Sequence, residues 1–290
     1  MRKGLGLTAL AAWAWLFPGQ TLAQGQREPH AQASRDSAAS SGVTERTLLP
    51  PRALAAWLED ADTLASGSLN VGLSIGRWSS LDGEETDGPV FDVAAGLGPR
   101  IQLSASIPYY RASYAGGFQS HGLGETYLAA KVQLLDAGRA VIGVAVSPML
   151  EILSEAAVSD PTLGLSRVNW ALPISIQVGS DRIRAYATVG YSSRGAVGGG
   201  VAIEQAVFSR LTLVNTLRYS YSTRAMAASE PIGLSRSRTD ATTGVFIRAG
   251  PAVTLFASAG RTISKMDHNG ARLIASAGVS VVIKRHAARR

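Results

Sequence analysis

The sequence predicts an all-β protein, a transmembrane antiparallel up-and-down β-barrel of about twelve strands. Three observations predict this fold class. Short segments alternate apolar and polar residues with the two-residue period of a β-strand. Tight turns alternate along the chain with longer polar connections, as the two rims of a membrane barrel require. No internal run approaches the roughly 20 apolar residues of a membrane-spanning helix, so a membrane protein of this kind must cross with strands.

Residues 1–23 form a secretory signal peptide. Arg2 and Lys3 precede an apolar core from Leu5 to Phe17, and Thr21-Leu22-Ala23 forms a small-residue cleavage site. The signal predicts export from the cytoplasm.

Residues 24–64 are interpreted as a flexible periplasmic N-terminal arm. Its first part, up to Val43, holds almost no large apolar residue and cannot bury enough surface to become ordered. Helical spacing in its last part predicts one short amphipathic helix over residues 52–64, which either closes the barrel mouth or rests on the rim. The residues at this spacing are Leu54, Trp57, Leu58, Ala61 and Leu64.

The barrel is expected over residues 65–284, followed by a basic C-terminal tail over residues 285–290. The clearest alternation lies in residues 100–135, although a soluble β-sandwich would produce the same local pattern. The expected strands are Leu69–Trp78, Val90–Leu97, Arg100–Tyr110, Glu125–Leu135, Ala140–Leu153, Val168–Val178, Arg182–Tyr191, Val197–Phe208, Leu211–Tyr221, Thr239–Ala249, Ala252–Ile263 and Ala271–Lys284.

The connections favour the membrane barrel over the sandwich. Tight turns are expected at Gly98–Pro99, Asp136–Gly138, Gly179–Asp181, Ser209–Arg210 and Gly250–Pro251. Longer polar loops are expected over residues 81–89, 111–124, 154–167 and 222–238, whereas the connections at 192–196 and 264–270 are short. Short turns on one rim and mostly longer loops on the other are typical of outer-membrane barrels whose two termini are periplasmic.

The composition excludes some kinds of function. Cysteine is absent, which removes disulfides, thiolate metal sites and cysteine nucleophiles. The formal net charge is +7, but Lys and Arg are scattered along the chain, which argues against a nucleic-acid partner. Basic side chains in a pore, or facing anionic lipopolysaccharide, explain the charge equally well.

Charged residues on the polar strand faces are expected to line the lumen, because a lipid-facing charge costs about 2–4 kcal/mol at the bilayer midplane. They form either a selectivity constriction or an ion-pair network that fills a narrow barrel. Arg261 falls on the lipid face near a strand end, where its side chain can reach the headgroups. The candidate lumen residues are Asp92, Glu125, Lys131, Arg182, Arg184, Glu204, Arg218, Asp240, Arg248, Arg272 and Lys284.

An aromatic girdle is expected on the side of the longer loops. Aromatic side chains at strand ends are typical of the membrane interface, although aromatic residues also pack under the loops of soluble folds. The girdle residues would be Trp78, Tyr109, Tyr110, Tyr191, Tyr219 and Tyr221.

No motif predicts an enzyme, a cofactor or a metal site. The four histidines are His30, His121, His268 and His286. Ser120 precedes His121 and Asp267 precedes His268, but adjacent residues on an extended chain point apart, so neither pair forms a ready nucleophile and base.

Three short stretches resemble one known family. They are Gly96-Leu97-Gly98-Pro99-Arg100, then Ile107-Pro108-Tyr109-Tyr110, then Gly122-Leu123-Gly124-Glu125 leading into Leu128-Ala129-Ala130-Lys131. Together they resemble the outer-membrane family named for the meta-pathway of phenol degradation. Glu125 stands where that family has Asp, and the chain ends in a basic tail rather than on an aromatic residue.

The resemblance implies a barrel that passes small compounds, aromatic or hydrophobic ones among them. We therefore expect a porin-like channel in the outer membrane of a Gram-negative bacterium, placed there by the barrel assembly machinery. Its partners would be outer-membrane lipid, lipopolysaccharide and a small-molecule solute. The alternatives are a structural or surface-interaction barrel with a plugged lumen and a lipid-modifying barrel enzyme.

Overall fold

The structure is a computed structural model and describes residues 58–81, 83–114, 117–136, 142–154, 166–180, 182–223, 236–266 and 270–284. The expected signal peptide, the arm up to residue 57 and the C-terminal tail lie outside these residues. In the described part of the chain, no helix is long and apolar enough to cross a membrane.

Fourteen strand segments form one sheet. Their bounds are β1 Ser68–Ser79, β2 Gly83–Gly96, β3 Ile101–Tyr114, β4 Phe118–Leu123, β5 Thr126–Leu135, β6 Ile142–Val146, β7 Met149–Ile152, β8 Val168–Gly179, β9 Ile183–Ser192, β10 Ala196–Phe208, β11 Leu211–Ser222, β12 Ser237–Arg248, β13 Val253–Thr262 and β14 Leu273–Lys284.

The sheet closes into an antiparallel barrel because β1 pairs with both β2 and β14. β4 and β5 both pair with β3, so they are two parts of one barrel strand, interrupted at Gly124 and Glu125. β6 and β7 likewise share β5 and β8 as neighbours and are interrupted at Ser147 and Pro148. The closed barrel therefore has twelve strands, which confirms the predicted fold class.

Burial in the barrel wall is inverted relative to a soluble protein. On β3, Leu103 is 45% exposed while its neighbours Gln102 and Ser104 are 0% and 9% exposed. The same alternation of exposed apolar and buried polar residues runs along most of the strands, β1 and β8 among them. A sandwich in water would bury the apolar face instead, so this distribution favours a barrel surrounded by lipid.

Two of the predicted long loops are wrong. β2 begins at Gly83 and β3 continues to Tyr114, so most of residues 81–89 and 111–124 lie in strands. Polar residues occupy both faces at these strand ends, for example Glu84 and Glu85 on β2. Where neither face of a strand touches lipid, the sequence no longer alternates apolar and polar residues, yet the backbone hydrogen bonds between strands continue. The strands therefore extend beyond the part that the alternation predicts.

The predicted girdle is partly right. Tyr191, Tyr219 and Tyr221 are exposed near the outer strand ends, and the ring of Tyr191 lies 5.9 Å from that of Trp170. Trp78 and Tyr110, by contrast, are buried and point into the barrel. Consecutive residues on a strand face opposite sides, so Tyr109 and Tyr110 cannot both belong to the girdle.

The short helix predicted over residues 52–64 is wrong for its described part. Residues 58–64 form neither helix nor strand, and all of them are buried. Ala61 donates its backbone N–H to Gln177 and Leu64 donates to Gln102, so side chains of the barrel wall replace helical hydrogen bonds.

We expect Leu103→Arg to weaken folding into lipid vesicles by about 2 kcal/mol or more, because the new charge would face hydrocarbon. Ser113→Arg is the matched control, since Ser113 lies on the same face of β3 at its outer end. Urea titration of both variants in phosphatidylcholine vesicles measures the difference. Equal folding free energies would contradict the outward placement of Leu103.

Candidate functional site

The lumen contains a piece of the chain itself, residues 58–64, which we call the lumen segment. Leu58 packs against Tyr186 of β9 and Ala202 of β10. Leu64 packs against Ala94 of β2 and Tyr127 and Ala129 of β5. Strands β10 and β2 are six strands apart in the twelve-strand ring, so the segment crosses most of the interior.

Two aspartates anchor the lumen segment to two cations of the wall. Lys131 Nζ lies 3.2 Å from Asp60 Oδ1. Arg184 Nη1 lies 3.3 Å from Asp60 Oδ2 and 3.1 Å from Asp62 Oδ2. Asp60 and Asp62 alternate along an extended chain, so both carboxylates project to one side. Both aspartates and Lys131 are almost fully buried, which makes each ion pair dependent on its partner.

Wall side chains also satisfy the backbone of the segment. Gln133 donates to the Ala61 carbonyl at 3.1 Å, and Thr188 donates to the Glu59 carbonyl at 2.7 Å. Lys131 donates to the carbonyls of Asp60 and Asp62 at 3.1 and 3.3 Å. Backbone groups buried without partners would each cost about 1–3 kcal/mol, so these polar wall residues are what allow a peptide to lie inside the barrel.

Arg184 links the lumen segment to Glu204 on β10. Its Nε donates to Glu204 Oε2 at 3.0 Å, and its Nη2 donates to the same carboxylate. Tyr186 donates its hydroxyl to Glu204 Oε1 at 3.0 Å and lies under the guanidinium. One guanidinium therefore joins three carboxylates, which suits its planar arrangement of donors.

The outer part of the lumen carries a second group of charges on β2, on β7 and in the interruption between β4 and β5, which we call the acidic wall. It consists of Glu85, Asp87, Asp92, Glu125 and Glu151. Tyr127 donates to Glu125 at 2.6 Å and is 3.3 Å from Glu151, and Arg194 donates to Glu151 at 3.0 Å. Among the described residues that these carboxylates contact, Arg194 is the one cation.

Basic side chains occupy the opposite wall of the barrel. Arg218 lies on β11 and Arg238 and Arg248 lie on β12. Arg238 lies 2.8 Å from Asp240, which also accepts a hydrogen bond from Thr262 at 2.7 Å. β11 and β12 face β2–β7 across the ring. The two walls therefore place carboxylates and guanidinium groups on opposite sides of the lumen, which produces an electric field across it.

The structure places the predicted lumen residues in two groups. Asp92, Lys131, Glu204 and Asp240 are buried, and Glu125, Arg184, Arg218 and Arg248 are partly buried, all on inward strand positions or between β4 and β5. Arg182, Arg272 and Lys284 are exposed at strand ends. These three lie at the rims, because the alternation that assigns a face no longer constrains a side chain once the strand ends.

Several residues of the site were not predicted. Asp60 and Asp62 lay in the supposed arm, and Glu85 and Asp87 lay in a supposed loop. The two-residue spacing within each pair is a signal that could have identified a shared face. Arg194 sits in the turn between β9 and β10, and no local pattern indicates that its side chain is buried against Glu151.

The histidines do not come together with a nucleophile in the described residues. His121 is exposed on the outward face of β4, whereas the Ser120 hydroxyl lies 2.7 Å from the Tyr110 hydroxyl. His30, His268 and His286 lie outside the described residues. Across the ranges that the structure describes, no group of three or more His, Asp or Glu side chains is arranged to hold a metal ion.

Comparison with known proteins identifies the architecture. No protein-family model and no curated protein matches this sequence. The structure is similar to an outer membrane channel from Pseudomonas putida F1, with 12% identity, a TM-score of 0.57, and 79% of this chain and 100% of that chain covered. It is also similar to the NanC porin, with 9% identity, a TM-score of 0.52, and 73% and 98% of the two chains covered. The fold is that of outer-membrane β-barrels. At these identities the likeness shows the fold alone.

We expect Arg184→Gln to speed hydrogen exchange at the Ala61 and Leu64 amides about a hundredfold, because removing this partly buried partner of two buried carboxylates costs about 3 kcal/mol, the low end of the range for buried ion pairs. Arg182→Gln is the matched control, since Arg182 is exposed two residues earlier in the chain. Hydrogen exchange followed by mass spectrometry measures both variants. Unchanged protection in Arg184→Gln would show that the ion pairs do not hold the segment.

Proposed function

We propose that this protein is a passive outer-membrane channel for small molecules. The observation that carries the proposal is the charged and polar interior of a closed barrel whose outer face is apolar. A polar interior gives water and solutes a path that the surrounding hydrocarbon does not. The similarity to channel barrels supports the same assignment at the level of fold.

The mechanism is diffusion along a lumen whose fixed charges set the preference for solutes. A solute entering from the outer rim meets the acidic wall first, and then the lumen segment with its anchoring cations. Carboxylates outnumber cations along the acidic wall and in the lumen segment among the described residues. The channel is therefore expected to favour cations over anions, because fixed charge of one sign concentrates ions of the other.

The substrate class rests on the family resemblance. Short stretches around Gly96, Pro108 and Gly124 resemble a family associated with the breakdown of phenols, and this supports small aromatic or hydrophobic compounds as natural solutes. Tyr110, Tyr114 and Tyr127 on the inner surface offer aromatic faces with hydroxyl groups beside them.

The same proposal includes how the protein reaches the membrane. The signal peptide directs its export, and the barrel assembly machinery of a Gram-negative bacterium inserts it. Outer-membrane barrels need both steps, since the chain must cross one membrane before it folds into the other. The signal at residues 1–23 and the apolar outer face support this location.

A second candidate is a structural or surface-interaction barrel with a plugged lumen. The lumen segment favours it, because seven consecutive residues lie across the interior and are held at both ends. A lipid-modifying enzyme has no comparable support in the arrangement of His121 and Ser120.

Planar-bilayer recording separates the two candidates. We expect the purified protein to give discrete conductance steps and a reversal potential in a potassium chloride gradient that shows cation preference. A protein that folds, as judged by its mobility change on boiling, but gives no conductance would support the plugged barrel and contradict the channel.

The acidic wall provides a sharper test of selectivity. We expect Glu85→Gln combined with Asp87→Asn to reduce the ratio of potassium to chloride permeability about twofold or more, because the negative charge that this carboxylate pair carries leaves the entrance. Glu84→Gln is the control, since Glu84 immediately precedes Glu85, lies on the outward face and pairs with Arg77. Equal ratios in both variants would remove the acidic wall from the selectivity mechanism.

A further inference from the structure

Four basic side chains lie on the outer surface of neighbouring strands. In the register of the sheet, Arg77 of β1 is opposite Thr86 of β2, Thr86 is opposite Arg111 of β3, and Arg111 is opposite His121 of β4. Arg261 lies near the outer end of β13. Its neighbour Gly260 is opposite Ile274 of β14, which in turn is opposite Trp78 of β1, so Arg261 is close to the level of Arg77. All four basic residues are exposed. We call them the basic row.

The basic row lies directly above the apolar band. The next outward residue below Arg77 is Ile75, which is 53% exposed, and the one below His121 is Leu123, which is 67% exposed. Tyr109 occupies the same place below Arg111. A tyrosine between apolar residues and a cation is typical of the interface between hydrocarbon and headgroups. The row is therefore at the depth of the outer-leaflet headgroups.

The row occupies one sector of the barrel. It covers β13, β14 and β1–β4, whereas the outer ends of β8–β11 carry Trp170, Tyr191, Tyr219 and Tyr221 on the outward face in the described part of the chain. Aromatic side chains suit any bilayer interface. Exposed arginines also lie in the connections, such as Arg167 and Arg236, but within the described strands the outward-facing arginines are confined to this sector. Their confinement indicates an anion bound at that place.

The register also points to a bridging ligand. Arg111 and His121 are directly opposite on adjacent strands, so their N–H donors lie side by side on the outer surface. Glu84 pairs with Arg77, whereas Arg111 and Arg261 form no ion pair with a carboxylate in the described part of the chain. The three arginines lie on β13, β1 and β3, with one strand between each pair, so neighbouring arginines are about 10 Å apart around the ring. Their long side chains bring two of them within reach of one headgroup that carries two phosphates.

We propose that the basic row binds the phosphate groups of lipopolysaccharide, with the lipid's acyl chains lying against the apolar surface below it. The inference rests on the proposed outer-membrane location. Phosphate accepts charge-assisted hydrogen bonds from guanidinium groups, often in pairs. The acyl chains would lie along Ile75, Ile107 and Leu123, which are all exposed.

The test uses the full chain with Arg77→Gln, Arg111→Gln and Arg261→Gln combined. The matched control removes three exposed arginines from the opposite rim, as Arg100→Gln, Arg182→Gln and Arg210→Gln. Each protein is purified in mild detergent and titrated with bisphosphorylated lipid A, dephosphorylated lipid A and phosphatidylglycerol, and bound lipid is counted by native mass spectrometry.

We expect the basic-row variant to bind bisphosphorylated lipid A about tenfold more weakly than the wild type, while the opposite-rim control binds it normally. The wild type should prefer the bisphosphorylated over the dephosphorylated lipid by a similar factor. This second comparison needs no variant, so it stays informative if the triple substitution impairs folding.

Three results would overturn the proposal: equal lipid A binding by the two variants, no preference for the phosphorylated lipid, or equal binding of phosphatidylglycerol, which would indicate a general anionic surface. Conductance is recorded on the same samples and should not change in the basic-row variant, because the row lies outside the lumen. Loss of glycolipid preference with normal conductance would refute this inference alone, whereas absence of conductance would refute the channel.

Discussion

The constraint on which the structure depends is that hydrocarbon offers no hydrogen-bond partners to the backbone. Every N–H and C=O group within the membrane must pair inside the protein, so a sheet there can have no free edge. Pairing of β1 with β14 removes the edge. The interruptions at Gly124 and Ser147 follow the same rule, because Gly124 donates to the Pro108 carbonyl at 2.8 Å and Ser147 donates to the Pro173 carbonyl at 2.9 Å. Irregular backbone is present in the wall, but its groups remain paired.

Closure also decides the chemistry of the interior. A closed sheet of this size has an inner face that must be filled or hydrated, and here the chain supplies both charged side chains and a peptide segment. Lys131 and Arg184 would be costly to bury alone, as would Asp60 and Asp62, but each stabilises the others. The polar interior that allows solutes to pass can therefore also hold a peptide segment. The space that the segment leaves open decides which solutes can cross the barrel.

The sequence predicted the sheet much better than the lumen. Strand number, direction and facing follow from local alternation and turn residues, as around Leu103 and Gly179. The outer parts of β2 and β3 were missed because their two faces are equally polar. The position of residues 58–64 depends on contacts with residues more than a hundred positions away, such as Gln177 and Arg184. No local pattern encodes such contacts, and the apolar spacing that suggested a helix reflects burial on all sides.

The position of the lumen segment has a consequence for biogenesis. The segment precedes β1 in the chain, yet Arg184 and Glu204, which fix it, belong to strands made much later. If the barrel closed first, the charged lumen segment would have to enter it afterwards through one open end. It is simpler for the growing sheet to curl around the segment, with the seam between β1 and β14 joining last. In that order the lumen segment would act as a template around which the twelve strands close, and its contacts with the wall would form before the last seam does.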